Sequence, residues 1–135
     1  MTLNDIDLDS FIRKSEEKTL NNAMKWNSEN GLEKNKFVER SENYEKIKKV
    51  YTSESKNGDI VAIGSFEKRV YYNEDDYSFE DIYFISFSDE NSGGFVTFIN
   101  DDNSSFSFQV KLGKLHRIVQ LKTSKVADKL DSWFD

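Results

Sequence analysis

Residues 78–100 read SFEDIYFISFSDENSGGFVTFIN. The run Asp81 to Ser88 is rich in the aromatic and β-branched residues that suit a pleated, packed surface, so it reads as a strand. NSGG then supplies turn residues, and FVTFIN runs back as a second strand. Strands with one wet face alternate apolar and polar residues. These two do not: Ile82 and Phe84 fall on one side, Tyr83, Ile85 and Phe87 on the other, and Phe95 and Ile99 oppose Val96 and Phe98. Central strands covered on both faces are therefore expected.

Working outward, Asn57-Gly58 sits between VYTSES and IVAIGSF. It predicts a hairpin with a type I′ turn, joining a strand over about Lys48–Ser55 to one over Asp59–Tyr72. Downstream, SFSFQVKL alternates cleanly from Ser105 to Leu112. It reads as a half-buried strand, and GK as a two-residue turn into a further strand, LHRIVQLK. Upstream, Leu8, Phe11, Ile12, Leu20, Ala23 and Met24 recur at helical spacing and predict a helix over about Asp7–Asn27, with Gly31 as the exit residue. A last helix is expected from Ser124, with Val126, Ala127, Leu130, Trp133 and Phe134 on one stripe. Leu32–Tyr51 supports either a short helix or a strand. The sum is an α+β fold: an antiparallel meander of five to six strands with an N-terminal and a C-terminal helix packed on it. At 135 residues the chain (1–135) is expected to be a single domain.

There is no cysteine, so thiolate metal sites and disulfides are excluded. No apolar run approaches the ~18 residues of a membrane span, and MTLNDIDLDS has acids where a secretory signal has bases. A cytoplasmic location is the expectation. Net charge is −6 and unevenly spread: Val70–Val110 holds nine acids and no Lys, Arg or His. The flanks, with nineteen bases and sixteen acids, are net positive. Nucleic-acid binding calls for a basic stripe, and the middle of this chain offers the opposite.

Chemical sites are scarce. His116 is the single histidine, and is expected on the exposed side of a strand; one histidine rules out polyhistidine metal sites within the chain. No cysteine nucleophile, G-x-S-x-G, G-x-G-x-x-G or Walker pattern occurs. Asp5, Asp7, Asp9 and Glu16 match ligand positions of a calcium loop, but Ser10 replaces its glycine and no incoming helix precedes it. Helix-capping acids explain them better. No catalytic residue, metal or cofactor is expected.

What remains is a surface. Glu74, Asp75, Asp76, Glu80, Asp81, Asp89 and Glu90 border Tyr77 and Tyr83, with Tyr72 and Phe79 as further anchors. Turn preference and ordinary core packing account for much of this pattern. An aromatic patch rimmed by one sign of charge also has the anatomy of a protein-binding surface. The sequence thus points to a small acidic inhibitor that occludes a basic, nucleic-acid-binding surface of a partner protein, in the manner of immunity proteins of nucleases or phage anti-defence proteins. It would bind no nucleic acid or membrane itself. The alternative is an assembly protein whose two-sided sheet is covered by its own copies.

Overall fold

The structure, a computed structural model, describes residues 8–39, 46–91, 93–99 and 105–135. Its elements run α1 (Leu8–Leu20), β1 (Asn27–Glu29), a 3₁₀ helix (Gly31–Phe37), β2 (Lys46–Glu54), β3 (Ile60–Tyr71), β4 (Tyr77–Asp89), β5 (Gly94–Phe98), α2 (Ser105–Thr123) and α3 (Val126–Ser132). The five strands form one antiparallel sheet in sequence order, a meander. The architecture is α+β, with helices from both ends of the chain.

Period 2 passes to the two sheet faces as expected. On one face Tyr51, Ile63 and Ile85 meet Ile12 of α1 and Phe108, Leu112, Leu115 and Val119 of α2. On the other, Val50, Ala62, Phe66 and Phe84 are closed by Phe37 and Val38, at and just past the end of the 3₁₀ helix. The chain thus covers both faces of its own central strands, which explains the missing alternation in β4.

The alternating run Ser105–Leu112 is not a strand, and the GK step is not a turn. Ser105–Thr123 is one helix. Its buried apolar residues Phe108, Leu112, Leu115 and Val119 are spaced by 4, 3 and 4, the helical repeat. Phe106 and Val110, which completed the apparent alternation, face solvent. Gly113, which costs about 1 kcal/mol inside a helix, sits where a Cβ would come 3.0 Å from the Tyr83 ring. It lets α2 lie close on β4.

Three other expectations are corrected. α1 ends at Leu20 rather than near Asn27, because Asn22 adopts a left-handed φ of 65° and the Ala23 and Met24 amides close back on the Lys18 carbonyl. The β2–β3 turn is not type I′. Gly58 alone has positive φ (88°), its amide bonds the Ser55 carbonyl at 3.0 Å, and a three-residue loop with a glycine bulge results. The apolar stripe of α3 does not pack on the sheet: Leu130, Trp133 and Phe134 are exposed. Of the open segment Leu32–Tyr51, the start is 3₁₀ helix and the end strand; residues 40–45 lie outside the described residues.

α1 and α2 run alongside each other in the same direction, tied by Lys111–Asp9 at 2.6 Å, Lys114–Glu16 at 3.5 Å and Lys122 to Asn22 at 3.3 Å. Bonding to Lys111 holds the Asp9 carboxyl below its ordinary value. Asp9 and Glu16 both lie in this helix, not in a calcium loop; Asp5 and Asp7 fall outside the described residues. Among the described residues no helix is long and apolar enough to cross a membrane.

Candidate functional site

β3 and β4 are longer than their neighbours. They stay paired to Tyr71↔Tyr77, whereas β2 reaches only Glu67 of β3 and β5 only Ile85 of β4. Lys68–Tyr71 and Tyr77–Glu80 therefore form a two-stranded arm, carrying its turn about 13 Å past the sheet. Every residue from Tyr71 to Asp81 is exposed.

The register gives the arm two unlike faces. Arg69↔Phe79 and Tyr71↔Tyr77 share one. Tyr71 and Tyr77 lie 5.4 Å apart between ring centroids, Tyr77 and Phe79 5.5 Å apart edge-on. The Arg69 guanidinium stands 5.0 Å from the Tyr77 ring centre and 5.9 Å from Phe79, within range of a cation–π interaction. Lys68↔Glu80 and Val70↔Ser78 make the opposite face. These rings are wet, with Tyr71 57%, Tyr72 69% and Phe79 52% exposed.

The tip is ordered by Asn73. Its Oδ1 accepts the Asp75 and Asp76 amides at 3.1 and 2.8 Å, its Nδ2 donates to the Asp76 carboxylate at 2.7 Å, and the Tyr72 amide bonds the Asp76 carbonyl. This is the asparagine turn chemistry legible in NEDD. It fixes Glu74, Asp75 and Asp76 at the end of the arm. Among the described residues no salt bridge reaches them.

The nine residues singled out from the sequence separate into three places. Glu74, Asp75, Asp76, Tyr77 and Glu80 are on the arm. Asp81 and Tyr83 lie at its base and do not add to a free acidic surface there. Asp81 is bound by Lys48 at 3.0 Å, with Glu67 on the same amine at 3.6 Å, and the Asp81 bond raises the Lys48 pKa. Tyr83 is half-buried, its ring 5.2 Å from His116. Asp89 and Glu90 are at the other end of β4, about 40 Å from Tyr77 along the strand. The base-free window of the sequence is also not base-free in space, because pairing sets Lys68, Arg69 and Lys48 beside Glu80, Phe79 and Asp81. On the arm, the acids that no base reaches among the described residues are those of the tip, Glu74, Asp75 and Asp76.

Sequence reasoning missed the pocket at the arm's base. A β2 bulge between Ile47 and Val50 puts three steps against two on β3. Together with β3, β4 and α2 it borders an open cleft of about 320 Å³, lined among others by Lys48, Lys49, Tyr83, His116 and Arg117. His116 is not on an exposed strand: it is in α2, 8% exposed, between Tyr83 and Tyr51, the latter 5.4 Å away. Burial lowers its pKa, a hydrogen bond to the Lys49 backbone opposes that, and the Lys49 and Asp81 charges act in opposite senses. Its Nε2 is buried and without a hydrogen-bond partner. Burial likewise raises the Tyr51 phenol, against a bond to Thr123. A larger, mainly apolar cavity of about 620 Å³ lies at the opposite end of the sheet, beside Phe11, Met24, Val61 and Phe87. Among the described residues no three His, Asp or Glu side chains gather as metal ligands.

Comparison with protein-family models, with curated proteins and with solved structures finds no match to this chain.

Proposed function

We propose that this chain is a protein-binding inhibitor that lays its β3–β4 arm into a groove on a basic partner and occludes a surface that holds nucleic acid, in the cytosol. One observation carries the reading. The arm projects from a sheet already covered on both faces, and presents a ladder of solvent-exposed rings behind an unneutralised acidic tip. Tyrosine supplies large contact area with few rotatable bonds. The tip carboxylates would meet Lys and Arg that otherwise hold phosphates, and would mostly speed encounter. No catalytic step is assigned. Asp89 and Glu90 lie too far from the tip to share a small contact with it.

The test is competition. The native chain, used as bait in cell extract, is expected to retain a basic nucleic-acid-binding protein and to displace nucleic acid from it once purified. A variant with Glu74→Gln, Asp75→Asn, Asp76→Asn, Tyr77→Ser and Phe79→Ser is expected to lose both properties while keeping its fold. Equal capture and displacement by this variant would remove the arm as the contact.

Self-assembly is the second reading. A two-sided sheet, which would support it, is covered within the chain, but Leu130 of α3 and Trp133 and Phe134 just past its end are exposed apolar side chains. A concentration-dependent mass that Trp133→Ser and Phe134→Ser abolish would favour it over the inhibitor.

A further inference from the structure

We propose that the cavity at the base of the arm is a binding site for a small phosphate-type oxyanion, held by Lys49 and Arg117 with His116 as an internal donor. The inference is independent of the partner reading: it concerns a concave site between sheet and α2, not the arm.

Three observations converge. The first is space: about 320 Å³ is at the lower end of the range of small-ligand sites, with room for a phosphate group and its waters. The second is the buried ring. A neutral imidazole nitrogen needs either a donor for its lone pair or an acceptor for its proton, and an imidazolium needs acceptors. His116 lines the cavity, is more than nine-tenths buried, and the described residues give Nε2 neither. Such a group calls for an occupant or a bridging molecule. The third is charge. Lys48 is already engaged by Asp81 and Glu67, and those carboxylates counter it. Lys49 and Arg117 add positive charge around the same space; Arg117 donates to Gln120 at 3.2 Å, which steadies it on the rim. Ser65 and Gln120 contribute further polar groups to the lining, and Tyr83 an aromatic wall.

An oxyanion here supplies the acceptor that a protonated His116 would need, so binding takes up one proton on the ring. Lys49 on β2 and Arg117 on α2 favour the anion; Asp81 on β4 and Glu67 on β3 oppose it; the Tyr51 and Tyr83 rings flank the imidazole. Anion affinity therefore rises as pH falls through the depressed histidine pKa.

The chain has one histidine, so nuclear magnetic resonance reads His116 without ambiguity. The ring is titrated in chloride, in inorganic phosphate and in phenyl phosphate at equal ionic strength. The expected result is an upward move of the midpoint by about one unit in phosphate, equivalent to a tenfold preference of the anion for the imidazolium. A response to phenyl phosphate alone would identify an esterified phosphate as the ligand, and to inorganic phosphate alone the free ion. The Lys49→Ala, Arg117→Ala double variant changes exposed side chains and is expected to fold and to lose the move. Identical midpoints in all three solutions overturn the proposal. So does a move that survives in the double variant, since the anion would then act from elsewhere.

Discussion

Gln109 of α2 satisfies both backbone groups of Tyr83 on β4: its Oε1 accepts the Tyr83 amide and its Nε2 donates to the Tyr83 carbonyl, each at 2.7 Å. The side-chain amide thus extends the ladder by one residue pair beyond Ile85↔Phe98, where β5 stops, and the same Nε2 also donates to the Ile99 carbonyl at 2.8 Å. An unfinished strand edge is a template for unwanted pairing, and here a helix closes it. Gln109→Leu would keep the bulk and leave three part-buried backbone groups without this partner, the Tyr83 amide and carbonyl and the Ile99 carbonyl. The expected cost is about 2–4 kcal/mol, read as a lower urea midpoint at unchanged m-value. It is accompanied by faster hydrogen exchange at Tyr83.

Gly64 is required by contact rather than by conformation. A Cβ there would lie 2.7 Å from the Lys49 carbonyl oxygen and 2.8 Å from the Phe84 ring. The first is backbone of the β2 bulge and the second is a fully buried side chain, so neither yields cheaply. Gly64→Ala is expected to destabilise by about 1–3 kcal/mol through overpacking. Phe84→Leu in the same chain should return part of the loss, because it removes one of the two clashes. Denaturation of the two single variants and the double variant measures this coupling directly.

The indole of Trp26 is fixed by a buried hydrogen bond from Nε1 to Thr19 Oγ1 at 2.9 Å, joining α1 to the chain entering β1. Thr19→Val preserves shape and removes the acceptor, so the expected loss is about 1–3 kcal/mol. Pairing it with Trp26→Phe removes the orphaned donor, and the two losses should then sum to less than their separate values. Trp133 is the other tryptophan and is exposed, so a blue-shifted emission in the native state reports Trp26.

The meander was legible because β3, β4 and β5 carry strong strand composition and their turns carry Gly58 and Gly93 at positive φ. α2 was not, because Phe106 and Val110 are apolar yet exposed, and they make a helix look like period 2 over eight residues. Extending the window to Leu115 and Val119 restores the 3.6 repeat; the signal was present at longer range. The arm's tip was legible through Asn73 and its acids. The charge farther down the arm was not legible, since register places Lys68, Arg69 and Lys48 beside Glu80, Phe79 and Asp81, residues far from them in the chain. The pocket had no local signature at all. It depends on a bulge and on the close approach of α2, both of which are tertiary.

Stability should respond to pH through His116. In the folded chain, burial depresses its pKa below the ordinary 6.5, while the unfolded ring titrates near that value. Between the two, the unfolded state binds more protons, so stability rises with pH and falls as pH drops below about 6.5. The decline levels off once the folded ring is itself protonated, below its lowered pKa. Its steepest slope is about 1.4 kcal/mol per pH unit, the limit for one proton. Asp9, held below its ordinary value by Lys111, loses its share of stability only as pH falls below the ordinary carboxylate range. The window just below 6.5 therefore belongs to one residue. Urea midpoints measured from pH 7.5 to 5 are expected to fall for the native chain and to stay level for His116→Gln. A level profile in the native chain would mean that Asp81 and the Lys49 backbone bond offset the burial of the ring.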